Sequence, residues 1–139
     1  MSEVFSIRLR DSSAERLRSY ATEVGEPVSR LAQRLIDEGL RMAAHPGIVF
    51  RSGPSGRRAA LLRGPDVWEV VALLRSLDAR GDAAVEEAAG WLGTPAAAIR
   101  HALGYYGEFP EEIEAEITAN ERATEGARAS WSHQQSVIG

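Results

Sequence analysis

The chain has no cysteine and no lysine. Without cysteine there are no disulfides and no thiolate metal sites. Without lysine, all 16 basic residues are arginine. No apolar run is long enough to span a bilayer, and no charged-then-apolar leader precedes the first structured segment. A cytoplasmic location with no membrane partner is expected. The signs of catalysis are missing as well. His45, His101 and His133 fall in three separate segments, without metal-ligand spacing to one another or to an acid. The pairs Glu86-Glu87 and Glu111-Glu112 are sequence neighbours, so on helices their carboxylates point apart. No catalytic residue, metal site or cofactor is expected, and the chain does not read as an enzyme.

Charge is present but unevenly placed. The whole chain is acidic, with a net charge of −4 over 139 residues. Residues 1–64 hold eleven arginines against seven acids, a net of +4, while residues 65–139 hold five against thirteen, a net of −8. Such asymmetry points to two different partners, with the positive half suited to a polyanion.

The positive half opens with Val4-Phe5-Ser6-Ile7-Arg8-Leu9-Arg10. Side chains alternate across a strand, so Phe5, Ile7 and Leu9 form an apolar face opposite Ser6, Arg8 and Arg10. A lone strand cannot bury that face or satisfy its edges. No second strand follows within hairpin distance, so the simplest partner is the same strand of a second copy. The product is a two-stranded antiparallel ribbon with arginines outward, narrow enough for a DNA major groove. Two helices should follow. Asp11, Ser12 and Ser13 are N-cap residue types ahead of Leu17, Tyr20, Ala21 and Val24, and Gly25 is a C-cap. After the turn at Glu26-Pro27, Ser29 caps a helix whose apolar stripe includes Leu31, Ala32, Leu35, Ile36 and Leu40. The dimer core is expected at Phe5, Ile7, Leu9, Leu31, Leu35 and Ile36.

This order of strand, helix, the turn Gly25-Glu26-Pro27-Val28-Ser29 and second helix resembles the ribbon-helix-helix family of small dimeric repressors, the Arc, MetJ and CopG group. The likeness covers roughly the first third of the chain. It implies that Ser6 and Arg8 read base edges, with Val4 at the third outward position, where the family usually has a polar residue. It also implies that the amides of Ser29 and Arg30 hold a phosphate at a helix N-terminus, where free N–H groups favour an anion. Arg10 is a further backbone contact.

His45-Pro46-Gly47 reads as a joint. Ile48–Arg51 and Arg57–Leu62 then flank a Gly/Pro/Ser loop and predict a β-hairpin. Its Arg51, Arg57 and Arg58 are candidates for DNA backbone contact beside the ribbon. Asp66 and Glu69 suggest a capping box for a core helix, Val67 to Leu77. A second helix should follow Gly81-Asp82, and a third Gly93-Thr94-Pro95, with Thr94 as cap and Gly107 as end. An acidic helix then begins near Phe109-Pro110, with Ile113 and Ile117 inward. The pair around Gly93 has a helix-turn-helix outline, and only Arg100 and His101 on its second member can donate to DNA. Residues after Thr124 lose periodicity and read as a flexible tail holding Trp131.

The expected fold class is thus mainly α. Residues 1–44 would form a dimeric ribbon-helix-helix domain, residues 47–124 a small hairpin-plus-helical domain of helix-turn-helix type, and residues 125–139 a tail. Pro46-Gly47-Ile48-Val49-Phe50, Gly56-Arg57-Arg58, Asp66-Val67-Trp68-Glu69-Val70 and Tyr105-Tyr106 before Pro110-Glu111-Glu112-Ile113 resemble an uncharacterised domain family of small antitoxin-like bacterial proteins. A ribbon-helix-helix head with a separate C-terminal arm is similar to VapB-type antitoxins. The resemblance implies an autorepressor that binds its operator DNA as a homodimer or higher oligomer. It further implies neutralisation of a cognate toxin, such as a PIN-domain ribonuclease. Ile113, Ile117, Arg122, Arg128 and Trp131 are the expected toxin contacts. Two other readings stay open: a stand-alone dimeric repressor, and a protein-interaction module that uses the ribbon only to dimerise.

Overall fold

The computed structural model describes residues 2–54 and 56–139. Among them the chain is mainly helical, with six helices and one two-stranded antiparallel sheet. Two compact units divide it, Met1–Ala44 and His45–Gly139. Among the described residues no helix is long and apolar enough to cross a membrane.

In the first unit residues 2–10 form no regular secondary structure, so the expected strand is absent from the single chain, and among the described residues they join no sheet. Helix α1 spans Asp11–Val24 and α2 spans Val28–Ala44. Gly25 closes α1 in the left-handed region at φ 71°, its N–H bonded back to the carbonyls of Ala21 and Thr22; a side chain there would be strained. The start of α1 departs from expectation. The N-cap is Arg10, in extended conformation with no side-chain cap bond, so Asp11, Ser12 and Ser13 lie inside the first turn. Helix α2 likewise begins at Val28, one residue before the expected Ser29 cap. Arg34 ties the turn to α2 by donating to Glu26 at 3.0 Å and lies 3.8 Å from the Glu38 carboxylate.

The second unit opens with the hairpin. Strands β1 (Ile48–Gly53) and β2 (Gly56–Leu61) pair from Ile48↔Leu61 to Gly53↔Gly56. Ser55 of the expected loop lies outside the described residues. Helices α3 (Val67–Ser76), α4 (Asp82–Leu92), α5 (Ala96–Glu108) and α6 (Pro110–Ile138) follow. Apolar residues at i, i+3 and i+4 turn Val67, Val70 and Val71 of α3 inward with Ile99, Ala102 and Tyr105 of α5. Ile48, Leu61, Val85 and Ala88 complete the same core with Ile113 and Ile117 of α6. Tyr105 is fully buried, and its hydroxyl donates to Glu112 at 2.5 Å, so the ring packs without stranding its polar end.

Three capping expectations fail here. Asp66 precedes α3 without a side-chain cap bond. Its carboxylate instead accepts from Trp68 Nε1 at 3.2 Å and lies 3.7 Å from Arg58. Pro95, not Thr94, is the N-cap of α5, and Thr94 donates to the Leu92 carbonyl. Helix α5 passes Gly107 and ends at Glu108. The largest departure is α6, which continues as helix through the supposed tail at residues 125–139 as far as Ile138.

One carboxyl on α6 sets a pH dependence. Burial, reinforced by the neighbouring Glu112 and opposed by Arg58, pushes Glu116 up to about 7. Its Oε2 is buried and has no hydrogen-bond partner among the described residues. Unfolded, the group ionises near the ordinary glutamate value of 4.5. The folded state therefore binds more protons across that window, and stability falls as pH rises from about 4.5 through about 7. Glu116→Gln is expected to raise the melting temperature at pH 8 and to change it little at pH 4. Partial solvent exposure keeps the gain modest. Parallel melts of both proteins across that range check the sign.

Candidate nucleic-acid interface and partner surfaces

The N-terminal segment is the most exposed apolar stretch in its unit. Phe5 is 83% exposed, Ile7 68% and Leu9 42%. Behind it lies an open trough of about 460 Å³ lined by Ile7, Leu9, Leu17, Tyr20, Leu35 and Ile36. Ile36 on α2 is 53% exposed. Among the described residues, only Ala21 and Leu31 of the unit's apolar side chains are buried. Five of the six residues expected in a dimer core thus remain open in the single chain, and only Leu31 is already covered. A unit of this size with two buried apolar side chains has little to offset its chain entropy.

The polar face of the same segment is uncommitted. Ser6, Arg8 and Arg10 are exposed, as is Val4, and neither arginine forms an ion pair among the described residues. At the start of α2 the first backbone bond runs from the Leu31 amide to the Pro27 carbonyl at 3.0 Å. The amides of Ser29 and Arg30 lie ahead of it, in the turn where helix N–H groups have no internal acceptor.

The hairpin arginines serve the fold of their own unit. Arg51 donates to the carbonyls of Leu61 and Gly64. Arg57 donates to Ser52 Oγ at 3.1 Å and to the Phe50 carbonyl. Arg58 lies over the Trp68 ring, 5.8 Å from its centroid, and faces Asp66. These engagements tie β1 and β2 to the start of α3. An Arg58 held between a ring and a carboxylate is a poor phosphate ligand, because a new contact would break two existing ones.

The proposed toxin contacts separate into two groups. Ile113 and Ile117 are buried in the core of their own unit, which corrects the expectation that they meet a partner. Both side chains face inward, as their spacing predicts, and pack in the core with α3 and α5. Arg122, Arg128 and Trp131 lie on the outer part of α6, and Trp131 is 64% exposed. Neither of these two arginines forms an ion pair among the described residues.

In the α4–α5 pair, Arg100 is paired with Asp82 at 2.7 Å. His101 abuts Gly47, where a Cβ would collide with its ring. Both donors of the would-be recognition helix therefore have neighbours of their own. Spacing along the chain offers His45 no acidic partner, yet its Nε2 lies 3.0 Å from Glu108 with its ring edge-on to Tyr105. Nothing in the local spacing linked residues 63 positions apart.

Neither a family model nor a curated protein nor a solved structure matches the chain.

Proposed function

We propose that the protein is a dimeric, sequence-specific DNA-binding repressor of ribbon-helix-helix type, acting as the antitoxin of a bacterial toxin–antitoxin pair. One observation carries the DNA half of this reading. A segment of alternating apolar and arginine residues is unpaired in its own chain, and it stands beside two helices whose shared apolar trough is open. Pairing residues 4–10 with the same residues of a second copy buries Phe5, Ile7 and Leu9 against that trough. It leaves Ser6 and Arg8 outward for base edges and Arg10 for phosphates. The free amides of Ser29 and Arg30 supply a phosphate clamp without any side-chain charge.

The toxin half rests on α6. Beyond Ile117 its residues are exposed over about six turns, and they present Arg122, Arg128 and Trp131. A helix this long with nothing packed on it is marginal in water and gains most from a partner. Its arginines suit an acidic nuclease site, and tryptophan is a frequent interface anchor.

The DNA claim is tested by Arg8→Ala on the native promoter fragment at moderate salt. Loss of a base contact is expected to weaken binding by about 1–3 kcal/mol, with the salt slope nearly unchanged. Unchanged affinity for that fragment would remove the ribbon reading. For the toxin half, co-expression of the partner toxin with a chain stopped after Ala123 is expected to lose protection.

A further inference from the structure

Within the second unit, α3, α5 and the start of α4 border an open cleft of about 610 Å³. Its floor is Val71, Leu74, Val85 and Leu103, and its rim carries Arg75, Arg80 and Arg100. Two of these guanidiniums are already balanced. Arg75 pairs with Glu114 and also donates to Tyr106, and Arg100 pairs with Asp82. Arg80 differs. Its Nη1 is anchored to three main-chain carbonyls, those of Leu77 at 2.6 Å, Asp78 at 3.4 Å and Ala79 at 3.0 Å. It has no carboxylate partner among the described residues.

The geometry points to this cleft as a binding site for an organic monoanion, a carboxylate carried on an apolar chain or ring. Three features select that class. The floor is apolar and concave, of a size that takes small molecules. The rim has one guanidinium in surplus over its carboxylate partners, which matches a single negative charge. The anchored Nη1 leaves the Nε–Nη2 edge of Arg80 unused, and that edge is the planar fork that takes a carboxylate side-on. Main-chain anchoring also holds the fork in place, so less side-chain entropy is lost on binding. The site lies wholly in the second unit and does not depend on the DNA reading.

Calorimetric titration of the full chain with decanoate at neutral pH tests the site, with decyltrimethylammonium as the charge-reversed probe. Saturable binding of one decanoate per chain is expected, with little or no binding of the cation. Arg80→Ala should weaken decanoate about tenfold or more, as loss of charged hydrogen bonds implies. Arg80→Glu should reverse the preference between the two probes, an outcome that mere loosening of the 77–81 segment would not produce. Absence of saturable decanoate binding overturns the proposal. So does equal affinity in wild type and Arg80→Ala, which would place the tail on the open trough of the first unit instead.

Discussion

Ile7→Glu is expected to convert a dimer into a monomer and to abolish binding to the native promoter fragment. In the single chain Ile7 is 68% exposed and borders the open trough. A glutamate there is harmless to an isolated chain, since it faces water. In a ribbon the same position is buried, and two-fold symmetry places two carboxylates in one apolar layer. Each buried charge costs several kcal/mol unless paired, and the two carboxylates would also repel each other; Arg16, which lines the same trough, can offset only part of that cost. The lost burial of isoleucine adds about 1.5–3 kcal/mol per chain. Together these exceed what a small dimer can absorb. Sedimentation equilibrium should then give the 15.1 kDa chain mass for the variant and twice that for wild type. Hydrogen exchange should show α1 and α2 losing protection while α3 and α5 keep theirs. A variant that stays dimeric would exclude residues 4–10 from the interface and return the molecule to the interaction-module reading.

Helix α6 should divide sharply when its two parts are changed separately. Ile113→Ala removes a side chain that is fully buried against α3 and α5. Such truncations cost about 2–5 kcal/mol, according to how far the cavity collapses. In a unit of this size that is a fall in melting temperature on the order of 10 °C or more. Stopping the chain after Ala123 deletes more residues, yet none of the deleted side chains is buried. Its melting temperature should stay at the wild-type value, and the cost should appear only in partner capture. Thermal melts of both variants beside wild type decide the matter. A large drop for the truncation would mean that the outer helix supports the fold, and its exposed arginines would then need another explanation.

The repeating elements were readable because helices and hairpins are coded locally. Val67, Val70 and Val71 recur at helical spacing, and Ile48–Arg51 and Arg57–Leu62 flank glycines and a proline, so α3 and the hairpin appear where the pattern puts them. Helix starts were not readable to the residue. Asp11, Asp66 and Thr94 are good cap types, but a cap is fixed by the backbone angles of one residue, and Asp66 finds Trp68 and Arg58 instead. The outer part of α6 was misread for a different reason. It has no apolar stripe, and periodicity sees only a stripe. Alanine, arginine and glutamine continue a helix already anchored by Ile113 and Ile117, because adding a turn is easier than starting one.

By itself the sequence determined the mainly helical content, the hairpin, and the positive and negative halves. Those depend on neighbours within a few positions, which the chain order states directly. The tertiary structure alone decided that Ile113 and Ile117 are core, that Arg51, Arg57 and Arg58 brace their own unit, and that Arg75, Arg80 and Arg100 ring one cleft. Burial and charge pairing depend on what folds against a residue. For the three arginines of the cleft that company comes from α3, the segment before α4, and α5, which no spacing along the chain connects.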